Sequence, residues 1–316
     1  MADYQISYVL ATHNQLAELR PALDRLLAAR QPTEEIVVVD GASTDGSTEY
    51  LRQLHAAGHI QQLLSEPHKN QAHGLNKAFV LATGPLIKVI TLADAFCLPA
   101  IREAADFMLE HPEVDVVAGN TGTLQLPDTS HLVLHDDAEA KFRRWFEHKE
   151  VVALPGLSLL IRREALALTG FLHTGVAQVE REFTYRLTSL NVGLAWSTAL
   201  LAVYVRGQQP APAGQAQAEV IETERMEYFH DKSQGSQTLQ RIWRKSAMAA
   251  LLPRPTARGR RLPVPPAEAA AGAAADAAQS AAVAASEAAM TQFNAAHPTE
   301  FVFRAQQITK AFQKPA

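Results

Sequence analysis

Residues 37–51 read VVVDGASTDGSTEYL. Three valines run straight into Asp40, and a turn carrying Gly41 and Gly46 leads into a polar stretch. Two glycines separated by four residues invite comparison with a phosphate-binding loop, but such a loop needs a lysine directly after the second glycine, to place a cation on the terminal phosphates. Ser47 stands there instead. A continuous apolar run of this length is typical of a strand buried in a parallel sheet. In such sheets ligands collect beyond the carboxyl ends of the strands. The turn after Asp40 therefore reads as one wall of a ligand cleft, not as a triphosphate clamp.

The neighbouring segments extend the same pattern. Ile6–Leu10 reads as a strand, and Asn14 as the cap of a helix whose apolar positions are Leu16, Leu19, Leu23, Leu26 and Leu27. Ile36–Val39 is a second strand, Thr48–His55 a helix, Ile60–Leu64 a strand, Asn76–Ala82 a helix closing at Gly84, and Leu86–Leu92 a fourth strand. Pro99 opens a helix to about Glu110, and Val114–Ala118 is a fifth strand. Strand and helix alternate over the first 120 residues, which predicts an α/β fold with a mostly parallel central sheet flanked by helices. Three segments then meet at the strand ends: Thr12–Asn14, Asp40–Asp45 and Ala93–Ala95. From 120 to 210 the pattern is mixed, with short strands near Leu132 and Val203 and helices over Glu139–Glu147 and Glu180–Leu190.

The expected organisation is a domain over residues 1–210, a helical extension over 211–252 and a low-complexity tail over 253–316 with a short terminal helix. QQPAPAGQAQAE has the composition of a linker, and Glu222–Leu252 reads as one or two helices. PRPTARGRRLPVPP is basic and proline-rich, and AEAAAGAAADAAQSAAVAASEAA reads as a weakly helical spacer with little bulk to bury.

Bulk properties exclude several function classes. The 316 residues carry 29 basic and 33 acidic side chains, a net charge of -4, which argues against nucleic acid as the main partner. One cysteine, Cys97, excludes a disulfide framework and suits a reducing compartment. MADYQISYVLATHNQ lacks the pattern of a signal peptide, and no stretch reaches the roughly 20 apolar residues of a membrane span. The expectation is a cytoplasmic protein. Peripheral contact with an anionic membrane is an option through Arg241, Trp243, Arg244, Lys245, Arg254, Arg258, Arg260 and Arg261.

Six segments, in order, resemble the family 2 glycosyltransferases, inverting enzymes of the GT-A nucleotide-sugar fold. They are VLATHNQ, EIVVVDGASTDGS, SEPHKNQAHGLNKAFVLATG, TLADAFCLPAIREAADFMLEHPEVDVVAGN, LPGLSLLIRREALALTGFL and VEREFTYRL. The resemblance covers residues 5–210 and implies transfer of a sugar from a nucleotide-diphosphate donor, a UDP-sugar foremost, to a hydroxyl of a glycan or lipid-linked acceptor. It also implies a divalent cation, Mn or Mg, as cofactor.

The resemblance implies roles for individual residues. Thr12, Asn14 and Asp40 line the nucleoside pocket, with Asp40 as an acceptor for the base or ribose, while Asp45 reads as a cap for the following helix. The family places metal-binding carboxylates before a proline-started helix; Asp94 is the one that survives here, with Leu92 and Ala95 at the other places. Its general base stands six residues before an arginine, which from Arg186 selects Glu180, a carboxylate one methylene longer than the family's aspartate. Glu182 is turned away from it on the helix. The resemblance also implies Asn76 and Lys77 at the donor-sugar side and Arg206 near the diphosphate, while His68 and His73 are too isolated for a zinc site.

Two other readings compete. A non-catalytic domain of the same fold would bind nucleotide or glycan as a scaffold. A dinucleotide-dependent oxidoreductase lacks its Gly-x-Gly-x-x-Gly after the first strand.

Overall fold

In the computed structural model, which describes residues 3–207, 215–230, 259–265 and 275–304, the first half alternates as expected. β1 (Ile6–Thr12) is followed by α1 (Leu16–Ala29), β2 (Glu34–Asp40), α2 (Ser47–Ala56), β3 (Gln62–Ser65), α3 (Gln71–Leu81) and β4 (Leu86–Val89). These strands pair in parallel in the order β3–β2–β1–β4. The order reverses at β1, so a crevice opens beyond the carboxyl ends of β1 and β4.

The second half adds β5 (Ala95–Phe96), α4 (Leu98–Glu110), β6 (Val116–Gln125), β7 (Asp128–Leu134), α5 (Asp137–His148), β8 (Leu160–Arg162), α6 (Leu166–Thr169), α7 (Val179–Leu190) and β9 (Leu194–Arg206). β8 runs antiparallel between β4 and β6, and the long β9 runs parallel to β6. The result is a mixed, mostly parallel sheet with helices packed against it. One apolar cluster joins α1, α4 and the sheet through Leu19, Leu23, Ile101 and Met108, and another joins α3, α5 and α7 through Phe79, Phe142 and Phe183.

Several boundaries differ from the sequence reading for identifiable reasons. β2 begins at Glu34, before the apolar run, because both glutamates find partners in the interior. Glu34 pairs with Arg102 at 2.7 Å, and Glu35 accepts from Ser7 Oγ and from Thr83 N, both at 2.5 Å. α3 starts five residues early because Asn70 caps it, its side chain accepting from His73 N at 3.0 Å. Asn14 does not cap α1: it takes a left-handed φ of 51°, and Leu16 N donates to Asp45 Oδ2 at 2.8 Å instead. β3 begins at Gln62, because residues 57–60 fold back on the end of α2, His59 N and Ile60 N both donating to Leu54 O.

The largest departure is at the carboxyl-terminal end. α8 (Gln215–His230) begins inside the stretch read as a linker and packs on α7, where Gln178 donates to Glu219 O at 2.7 Å. β10 (Arg261–Pro263) pairs with β7, and β11 (Phe301–Val302) with β9. The alanine tract, expected as a spacer, is α9 (Ala275–Ala296), and Ala282, Val283, Ala289 and Met290 are buried against the main core. Small side chains let this helix lie close to its neighbours, so modest areas per residue add up to a packed face. Of the expected helix over 222–252, residues 231–252 lie outside the described residues.

Candidate active site

Two loops meet at the carboxyl ends of β1 and β2. Thr44 N donates to Asn14 Oδ1 at 2.8 Å, Asn14 N donates to Ser43 Oγ at 2.8 Å, and Gly41 N donates to Thr12 O at 2.8 Å. Asp45, read as a cap, serves both helices, accepting from Leu16 N and from Ser47 N at 3.0 Å. Asp40 is fully buried and accepts from Ser43 Oγ at 2.5 Å, Thr48 Oγ1 at 2.6 Å and Ser65 Oγ at 2.8 Å. Burial pushes its pKa up, but these bonds outweigh it and hold the carboxyl below the ordinary range. Asp40 thus organises the turn as an anion, with its lone pairs engaged by the loop itself. Beside it the Thr12 hydroxyl is buried with no partner among the described residues, an open polar group in the pocket expected to hold a nucleoside.

On the other side of the crevice, Asp94, Glu180 and Arg206 come together from three elements. The end of β9 brings Tyr204 and Arg206 out on the same face, two residues apart. Arg206 Nη1 donates to Asp94 Oδ1 at 3.0 Å, and its guanidinium lies 4.6 Å from the Tyr204 ring centroid. Val205 N also donates to Asp94 Oδ1, and Thr91 Oγ1 donates to Oδ2 at 2.8 Å. Asp94 is 6% exposed, whereas the Arg206 side chain is 48% exposed and reaches into the cleft. Burial raises the Asp94 pKa, with Arg206 opposing.

Glu180, on the first turn of α7, accepts from Tyr204 Oη at 3.0 Å on Oε2. The residue is exposed at the rim of the cleft, but the Gly156 turn packs against its side chain and takes part of it out of water. That desolvation raises its pKa; the Tyr204 bond opposes the rise, Asp94 adds to it, and Arg206 and Lys88 oppose it. Glu180, Tyr204, Arg206, His135 and Gly156 line one cleft of about 520 Å³. A carboxylate with raised proton affinity, one oxygen without a hydrogen-bond partner among the described residues and a guanidinium nearby can accept a proton from a hydroxyl while stabilising an anion. Glu182 is indeed turned away, paired with Arg186 at 2.7 Å.

Two supports of this arrangement escaped the sequence reading. A Cβ on Gly156 would stand 2.5 Å from Glu180 Cβ and 2.9 Å from its Cγ, so only glycine lets that turn approach α7. Gly156→Ala is therefore expected to displace the carboxylate and lower kcat about a hundredfold, with nucleotide affinity unchanged by calorimetry; wild-type kcat would contradict this. The other support comes from α9, where Gln279 Nε2 donates to Ala93 O at 2.9 Å and Val205 O at 3.3 Å, the carbonyls beside Asp94 and Arg206. Gln279→Leu is expected to cost about 1 kcal/mol in urea unfolding and to lower kcat severalfold; a loss of stability with kcat intact would make the contact structural only.

The residues present do not form a seat for the divalent cation expected at Asp94. One carboxylate is offered, three donors including a guanidinium already hold its oxygens, and among the described residues no group of three or more His, Cys, Asp or Glu side chains is placed to bind an ion. Lys77 pairs with Glu66 at 2.7 Å and donates to Pro67 O. Asn76 clamps Leu172, bonding both its N–H and its carbonyl. His68 contacts Thr12 O, while His73 accepts from Lys69 N. Of the basic residues considered for membrane contact, Arg260 lies 5.7 Å from the Phe293 ring centroid and Arg261 belongs to β10, while the other six residues of that group lie outside the described residues. No described helix is long and apolar enough to cross a membrane.

Comparison with known proteins bears on the family and the fold. The sequence model of glycosyl transferase family 2 matches residues 7–167. An uncharacterized glycosyltransferase from Nostoc sp. is 25% identical over 141 residues, 42% of this chain and 44% of that protein. The chain thus spans less than half the length of the curated relative it matches. Among solved structures, S. aureus TarS 1–349 in complex with UDP-GlcNAc aligns with a TM-score of 0.52 and 14% identity over 76% of this chain and 71% of that one. The same protein in complex with UDP gives 0.50 and 15% over 76% and 70%. At these identities the likeness concerns the fold.

Proposed function

The chain belongs to glycosyl transferase family 2, and on that premise we propose that it moves a sugar from a nucleotide-diphosphate donor to an acceptor hydroxyl with inversion at the anomeric carbon. The observation that carries this reading is the convergence of Glu180, Tyr204 and Arg206 on one cleft, with the buried Asp94 as the partner of Arg206. Glu180 takes the proton from the acceptor hydroxyl through its open oxygen, while Tyr204 holds the other. The acceptor oxygen forms its bond to the anomeric carbon as the bond to the diphosphate breaks, and the electron pair leaves on the diphosphate oxygen. Arg206 offsets that growing charge, held in place by Asp94 beneath it. The loops around Thr12, Asn14 and Asp40 hold the nucleoside.

A UDP-sugar is the donor this reading favours; the complexes of the TarS structure with UDP-GlcNAc and UDP support it. The acceptor is a hydroxyl of a glycan or of a lipid-linked glycan, in the assembly of a polysaccharide. A screen of UDP- and GDP-sugars, with added acceptor and with Mn or a chelator, tests both points by following nucleotide release. Turnover of a UDP-sugar is expected. Binding of nucleotide without turnover of any donor would favour a scaffold that holds nucleotide or glycan, a reading to which the missing carboxylates at Leu92 and Ala95 lend weight. No nucleotide binding at all would sink both.

A further inference from the structure

Lys88 takes no part in the mechanism above, yet it is a charged side chain with no exposed surface in the middle of β4. Its ammonium donates to Leu157 O at 2.5 Å and Leu159 O at 3.1 Å, and lies 5.2 Å from the Phe96 ring centroid. A buried cation is costly unless its surroundings use it. Leu157 sits in the short turn Gly156–Ser158, whose first residue presses against Glu180. Leu157 N donates to Tyr204 Oη, and the same hydroxyl donates to Glu180. One turn is thus held by the lysine on its inner side and carries the seat of the carboxylate on its outer side.

We propose that Lys88 is a positioning residue for Glu180: it fixes the Gly156–Leu159 turn against which the carboxylate rests, and its positive charge keeps that carboxylate in the proton-accepting form. The proposal rests on Glu180 being the base. The groups acting on Glu180 are Asp94 from the connection after β4, Tyr204 and Arg206 from β9, and Lys88 from below. His135, Asp137, Lys141 and Arg181 line the wider cleft. Arg206 is engaged by Asp94, so its charge is shared, whereas among the described residues Lys88 bonds only to backbone carbonyls. Glu180 is the charged group that acts on Lys88. Burial lowers the Lys88 pKa from 10.5 to about 7, with Glu180 opposing. The lysine is thus cationic on the acid side of about pH 7.

Two variants separate charge from hydrogen bonding. Lys88→Met removes both, while Lys88→Gln keeps an amide that donates toward the same carbonyls. In both, the acid limb of the kcat/KM profile is expected to move to higher pH by about half a unit or more, because Glu180 loses a cation that favours its ionised form. An acid limb at the wild-type pH in Lys88→Gln would overturn the proposal. The coupling is also readable without turnover, from the pH titration of the Lys88 ammonium by nuclear magnetic resonance in ¹⁵N-lysine-labelled protein. Removing the anion in Glu180→Gln is expected to lower the Lys88 midpoint by a similar amount, and an unmoved midpoint would overturn the proposal even if neither Lys88 variant folds. Full activity of Glu180→Gln would instead remove the base assignment, while the titration still reports whether the two charges interact.

Discussion

Glu180→Gln is expected to lower kcat by about a thousandfold or more while nucleotide affinity, measured by calorimetry, stays within about twofold. The amide keeps the shape of the side chain and can still bond to Tyr204 Oη, which approaches at 3.0 Å, but it cannot accept the acceptor's proton. The pH profile carries the same information with a definite sign. Glu180 must be ionised to act, and desolvation raises its pKa above the ordinary 4.5, the Tyr204 bond opposing and Asp94 adding to the rise. Activity is therefore present above the raised value and lost as pH falls through it, so the acid limb lies above the ordinary glutamate range. In Glu180→Gln that limb should vanish from whatever rate remains. A variant with normal kcat, or a limb that persists unchanged in it, would take the base role away from Glu180.

Arg206→Ala is expected to be the next most damaging change, lowering kcat by roughly a hundred- to a thousandfold. Its guanidinium lines the cleft, and it is oriented by Asp94 at 3.0 Å and by the face of Tyr204. Removal costs more than one charge, because Asp94 is left in a buried place without its partner. The comparison with Arg206→Lys separates charge from geometry: a lysine keeps the charge but not the planar fork, so partial recovery is expected. The same assays, run with Mn and with a chelator, address the cofactor expected from the sequence. With Arg206 supplying the charge, a chelator is expected to change wild-type nucleotide affinity by less than about tenfold. A larger metal effect would return to Asp94 the cation-binding role that its present partners do not favour.

Much of the α/β scaffold was legible because its signals are local. Val37–Val39 and Ile6–Leu10 are apolar runs of strand length, and Leu19, Leu23 and Leu26 repeat at helical spacing on one buried face. Glu34 and Glu35 hid the true start of β2, since their cost in the interior is met by Arg102, Ser7 and Thr83, which come from distant parts of the chain. The alanine tract misled for a similar reason: its packing value depends on how close α9 comes to β9 and α1, and composition carries no record of that distance.

At the site, the family resemblance pointed to Glu180, Asp94 and Arg206, and folding brings them together. It could not say that Arg206 would become the partner of Asp94, 112 positions away. Nor could it say that the loop after β3 would place Glu66 beside Lys77. Two missed residues did leave traces. Tyr204 stands two places before Arg206 on a strand, which puts both on one face, and Lys88 is a lone charge within the apolar run LIKVITL. Gly156 announces a turn but not its contact with Glu180, and Gln279 gives no sequence signal at all.

The most direct test of sugar transfer by inversion is a proton nuclear magnetic resonance time course of the intact protein with an α-linked UDP-sugar and an acceptor. The expected result is UDP release matched by a product whose first-formed anomeric signal is β, absent when Glu180→Gln replaces the wild type. A product that keeps the α configuration, or UDP release that continues undiminished in that variant, would contradict the account.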